Sequence, residues 1–175
     1  RKYLLNNFNT AWTESVPKLI NLNIDKDTIK KYYQDSLHML DLFVSHFLTK
    51  LKTEMHTKNL VNAFNSLKPE TEVLLSSETH QVRGYVDAIH KNEGEIHILD
   101  YKTSRSDEVT EDYKLQLAIY VFLFKEIYGK TPDRVGLYFL RHGSQKFVPV
   151  DEELIEFARK ECQNIHLYTK SDHIE

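Results

Sequence analysis

The chain has 175 residues, 41% of them hydrophobic and 28% charged, with a formal net charge of −3. That length favours one domain with a real apolar core, and no apolar run approaches the ~18 residues of a membrane span. The charge balance lacks the basic footprint usual in nucleic-acid binders, but does not exclude a protein whose acids hold cations.

Residues 1–67 read as a helical N-terminal part of the same domain. A first helix is expected around Tyr3–Trp12, with Trp12 in the core and a break near Pro17. In "YYQDSLHMLDLFVSHFLTKLKTEM", Leu37, Leu40, Phe43, Val44, Phe47, Leu48 and Leu51 recur at spacings of three and four, which predicts a long amphipathic helix. Asp25 or Asp27 caps it.

After Pro69 the period changes. "TEVLLSS" and "VRGYVDAIH" are short runs rich in β-branched residues, joined by "SETHQ" as a hairpin. "NEG" then turns the chain into a third strand, "EIHILDYK". "EDYKLQLAIYVFLFKEIY" returns to helical spacing and stops at Gly129. "DRVGLYFLRHG" reads as a fourth strand on which "SQKFVPV" pairs back. "DEELIEFARKECQNIHLY" closes the chain as a helix with acids in its first turn. The class is therefore α+β: an αβββαβ order with a mixed sheet flanked by helices, in which residues 68–175 form the core with a C-terminal helix.

Cys162 is the only cysteine, which excludes an internal disulfide and a four-cysteine zinc or iron–sulfur site. A reducing, intracellular, cytoplasmic setting is expected. The nine histidines show no HExxH or CxxC…HxxxH spacing and argue against a dedicated zinc site. The N-terminus lacks the basic-then-apolar pattern of a signal peptide. It begins with Arg1 rather than methionine, so a piece of a longer polypeptide is expected.

The chemistry concentrates in the strands. Alternation puts Asp100 and Lys102 on one face of the third strand, with Ile96 and Ile98 further back on it. A tight turn at "NEG" brings Asp87 into the neighbouring strand. A hairpin centred on Thr79–His80 sets Glu72 opposite Asp87, a pairing that a slip of one residue would spoil. Carboxylates this close repel, and a divalent cation removes the conflict: Mg²⁺ takes carboxylate oxygens and keeps waters. Carboxylates, metal and lysine together suit phosphodiester hydrolysis.

"GYVDAI", then "DYK", then "QLAIY" on the next helix resembles the PD-(D/E)XK nuclease superfamily, and within it the RecB-like branch with its AddB nuclease domains. The resemblance spans Glu72 to Tyr120 and implies a restriction-endonuclease-like fold. It implies that Asp87 and Asp100 ligate Mg²⁺ or Mn²⁺ with the Tyr101 carbonyl, and that Lys102 is the catalytic lysine. Gln116 and Tyr120, four apart on one helical face, would line the site, touch the DNA backbone or order Lys102. Glu72 would be the early acidic residue, with Glu70 competing by register. RecB and AddB use an upstream histidine there, for which His38 and His46 are the candidates. Arg105 is a candidate phosphate contact.

The resemblance thus implies a metal-dependent DNA nuclease in repair, recombination or replication, acting on DNA with a single-stranded segment or end. A helicase or other domain is expected on the rest of the polypeptide or on another chain. The cysteines that clamp an iron–sulfur cluster in AddB-like relatives are absent from this chain. Two other readings stay open: a catalytically inactive nuclease-like scaffold or DNA-binding module, and an RNA-directed nuclease. Each motif also has a plainer reading, with Asp100–Lys102 an exposed pair worth little and Gln116 a satisfied core glutamine.

Overall fold

The computed structural model describes residues 1–92 and 94–169. The elements run α1 (Lys2–Asn21), α2 (Lys26–Glu54), α3 (Leu60–Leu67), β1 (Glu70–Ser77), β2 (Val82–Asn92), β3 (Glu95–Lys102), α4 (Glu111–Tyr128), β4 (Arg134–Phe139), β5 (Ser144–Val148) and α5 (Glu152–Thr169). The five strands form one mixed sheet in the order β1-β2-β3-β4-β5. Only the β3–β4 pair among them is parallel, because α4 crosses between the two. This is the α+β, restriction-endonuclease-like arrangement expected, with helices preceding the sheet.

The core lies between the sheet and α4. That helix packs against β1, β2 and β4 on one side and α5 on the other. Leu117, Ala118, Val121, Phe122, Leu123 and Phe124 are consequently buried around most of its circumference, as a helix covered on both sides requires. Thr110 caps its start with the Tyr113 N–H. Gly129 ends it in the left-handed conformation, φ 69°, with its N–H on the Lys125 carbonyl.

The N-terminal helices are built differently. Neither α1 nor α2 has a fully buried residue, and α3 has only Ala63. Asp25 caps α2 by accepting from the Thr28 N–H at 2.8 Å, while Asp27 sits in the first turn. Two expectations fail here. The helix does not break near Pro17 but runs through it to Asn21. Thr13 and Pro17 are both exposed residues, so the i, i+4 hydrogen bond that proline removes is lost on the solvent side of the helix rather than in a core. Nor is Trp12 in the core. It is half-buried and packs with Phe8 and Tyr33, ring centroids 5.8 and 5.3 Å away.

The β1–β2 register places Thr71 opposite Ala88 and Val73 opposite Val86, as the hairpin centre predicts. Of the expected turn at 92–94, Glu93 lies outside the described residues, and Gly94 has φ 91°. The β2–β3 ladder ends at Ala88↔Leu99. One further step would set Asp87 opposite Asp100. Val86 and Ile89, three apart, both join the core cluster, so the alternation of β2 is broken between them, at Asp87.

Candidate active site

Asp87, Asp100, Lys102, Gln116 and Tyr120 are brought together where β2 and β3 part. Instead of continuing the ladder, the Tyr101 N–H donates to Asp87 Oδ2 at 2.8 Å. The side-chain carboxylate thus stands where a strand carbonyl would. A residue's N–H and C=O share one edge of an antiparallel strand, so the Tyr101 carbonyl looks toward the same gap.

Asp100 is only 3% exposed. Its Oδ1 accepts from Gln116 Nε2 at 3.0 Å and lies 3.3 Å from the Tyr120 hydroxyl. Its Oδ2 is buried with no hydrogen bond, although the Lys102 ammonium is 2.6 Å away. The contact is an ion pair without hydrogen-bond alignment. Burial pushes the Asp100 carboxyl above its ordinary range; the Lys102 ammonium pulls it back and the Asp87 charge adds to the rise.

Gln116 is the hinge of the network. Lysine has no acceptor, so the amide presents Oε1 to Lys102 Nζ, 2.8 Å away. Its NH₂ then faces Asp100 Oδ1 and the Tyr120 oxygen, the latter at 2.8 Å. The Tyr120 hydroxyl donates to the Tyr85 carbonyl at 2.9 Å. Burial, and then the charge of Asp100, push that phenol up to about 12, so it stays protonated. Gly84 leaves room for this ring: a Cβ there would lie 3.2 Å from Tyr120 Cε1.

Tyr113 was not foreseen. Lys102 Nζ lies over its ring, 4.6 Å from the centroid. The signal was present, because Tyr113, Gln116 and Tyr120 fall at helical spacings of three and four.

The remaining candidates lie elsewhere. Glu72 is exposed, with a left-handed φ of 53°, and makes no hydrogen bond or ion pair among the described residues. Glu70 pairs with Lys91 at 2.7 Å on the surface. His38 is exposed on α2. His46 Nδ1 is 2.8 Å from the Tyr138 hydroxyl, and the histidine lines a cavity of about 610 Å³ with Phe43, Tyr101 and His90. Arg105 is exposed in the β3–α4 loop, where its carbonyl accepts from His142 Nε2 at 2.8 Å.

The donor set can be tested against a metal. Two carboxylates and one ammonium leave one negative charge over when both acids are ionised, and Asp100 Oδ2 is an acceptor lacking a hydrogen bond. No three His, Cys, Asp or Glu side chains converge as a metal-holding group among the described residues. Two carboxylates with a strand carbonyl fit a hard ion that keeps several waters, such as Mg²⁺, and do not fit a closed zinc site.

No curated protein matches the chain. A solved structure described as "Crystal structure of SSO0001" is 18% identical and covers 94% of this chain and 73% of its own, with a TM-score of 0.38. The family model of the PD-(D/E)XK nuclease superfamily matches residues 6–173, and the chain belongs to that superfamily.

Proposed function

We propose that the chain is a metal-dependent deoxyribonuclease of RecB-like type, acting in DNA repair, recombination or replication on DNA with a single-stranded segment or end. Membership of the superfamily supports nuclease activity, and its members generally use divalent metals such as Mg²⁺. The observation that carries the finer reading is the bridge by Gln116 between Lys102 and Asp100, beside an Asp87 already turned into the gap between β2 and β3.

In this reading Asp87, Asp100 and the Tyr101 carbonyl hold Mg²⁺ or Mn²⁺. Bound there, the ion would activate water and offset charge on the phosphate and the leaving oxygen. Lys102 orients the attacking water and shares the negative charge that builds on phosphorus. Gln116 fixes the ammonium, Tyr120 fixes Gln116 and Asp100, and the Tyr113 ring covers the lysine. Water adds to phosphorus as the P–O3′ bond breaks, leaving a 5′-phosphate and a 3′-hydroxyl. A helicase or other domain would deliver the DNA.

The test is incubation of the chain with end-labelled single- and double-stranded DNA, and with RNA of the same sequence, in Mg²⁺, Mn²⁺ or EDTA. DNA cleavage that needs the metal supports the reading. Cleavage of RNA alone moves the assignment to an RNA enzyme, and no cleavage of any substrate by folded chain contradicts it.

A further inference from the structure

The sheet face turned away from α4 is open at its β1–β2 end. Leu74 and Tyr85 stand directly opposite each other across the ladder there, and the next pair outward on that face is Ser76 and Arg83. Leu74 is 49% exposed and Tyr85 58%; Ser76 and Arg83 are exposed as well. The alternate residues of the same stretch, Val73, Leu75 and Val86, pack in or against the core, so strand alternation holds the four outward.

One exposed tyrosine is ordinary. Its placement is not. Tyr85 precedes Asp87 by two residues on β2, roughly 7 Å along the strand. Its main chain is anchored to the carboxylate cluster by the Tyr120 hydroxyl on the Tyr85 carbonyl. The Arg83 side chain makes no hydrogen bond or ion pair with any described residue. An uncommitted guanidinium thus stands beside an exposed aromatic ring on the open sheet face, and that ring is two residues along β2 from Asp87.

We propose that Tyr85, backed by Leu74, is a platform on which a base of single-stranded DNA stacks beside the cleavage site, with Arg83 on the adjoining phosphate. The inference rests on the nuclease reading of the site. Every base has a π-face, so such a platform tolerates any sequence. In a duplex the bases stack on one another, and the ring has nothing to accept. The platform therefore selects unpaired strands, while Arg83 supplies salt-sensitive affinity by releasing counterions.

The experiment is fluorescence anisotropy of a labelled single-stranded DNA, and of a duplex of equal length, in EDTA so that metal-dependent cleavage is suppressed. It compares the wild-type chain with Tyr85→Ala, Tyr85→Phe, Arg83→Ala and the remote control Tyr3→Ala. Tyr85→Ala is expected to weaken single-strand binding about tenfold, with Tyr85→Phe within about twofold of wild type and the duplex little changed. Arg83→Ala is expected to weaken binding and to flatten the salt dependence by about 0.7 in log–log slope. Unchanged single-strand binding by Tyr85→Ala, equal loss on the duplex, or no single-strand binding by the wild type overturns the proposal. Wild type that cuts DNA while Tyr85→Ala binds it normally overturns the platform alone. Tyr85-dependent binding without cleavage in metal supports the platform and removes the nuclease.

Discussion

Asp87 Oδ2 accepts the Tyr101 N–H at 2.8 Å, across the point where two neighbouring strands stop pairing. The bond satisfies a strand donor and holds a carboxylate against the gap occupied from the other side by Asp100. A substitution that keeps an acceptor but removes the charge separates the two roles. Asp87→Asn and Asp100→Asn are expected to fold, and neither should respond to Mn²⁺. Wild type should gain about 1.4 kcal/mol at ten times the dissociation constant, roughly 3–6 °C in a chain of this size. Thermal melting with and without Mn²⁺ measures the difference.

The pH dependence of the metal-free protein follows from Asp100. Its carboxyl is raised by burial, so the unfolded chain gives up that proton more readily than the folded one. The associated stability is complete below the ordinary aspartate value of about 3.9 and is lost as pH rises through the higher folded value. Denaturant melts in EDTA from pH 3.5 upward should show a falling component in wild type that Asp100→Asn lacks. Parallel curves for the two proteins would contradict the assignment.

Gln116 tests positioning. Gln116→Leu removes both the acceptor for Lys102 and the donor to Asp100 while keeping the size of the side chain. Single-turnover cleavage is expected to slow roughly 10- to 100-fold, as for a misplaced rather than a missing group. Gln116→Glu would face Asp100 with a second acceptor and should bind Mn²⁺ with altered pH dependence, read by calorimetry at two pH values.

Behind the site, Gly84 and Tyr120 are matched in shape. Gly84→Ala brings a Cβ to 3.2 Å from Tyr120 Cε1 and is expected to cost about 1 kcal/mol, within the range for a tight overpacked contact. Tyr120→Phe removes the donor to the Tyr85 carbonyl, worth about 1 kcal/mol when the acceptor stays in place. Tyr120→Phe keeps Cε1 but frees the ring from the Tyr85 carbonyl, so the ring can yield to the new Cβ and the double variant should cost less than the sum. Urea denaturation of the three variants measures it.

The strands and the "GYVDAI", "DYK" and "QLAIY" motifs were legible because alternation, helical spacing and the hairpin centre are local rules. Each places a side chain without knowledge of the rest. Glu72 shows where such rules stop: the register around it is as expected, but its backbone turns left-handed at φ 53°, which alternation does not anticipate. Pro17 was misread because its cost depends on whether the lost hydrogen bond falls on the solvent side of the helix or in a core. Tyr85 was silent because its significance depends on which sheet face the helices leave open, a tertiary fact. Tyr113 shares the helical spacing of Gln116 and Tyr120, but only the path of Lys102 in the folded chain shows that the lysine comes to lie over its ring.

The most direct test pairs Mn²⁺ binding by calorimetry with single-turnover cleavage of single-stranded DNA, in wild type, Asp100→Asn and Lys102→Met. Asp100→Asn is expected to lose metal binding and cleavage together. Lys102→Met should keep metal binding and lose cleavage by at least roughly 100-fold, as expected when a preorganised charge facing the transition state is removed. Cleavage by Lys102→Met at the wild-type rate, or undiminished Mn²⁺ binding by Asp100→Asn, would contradict the account.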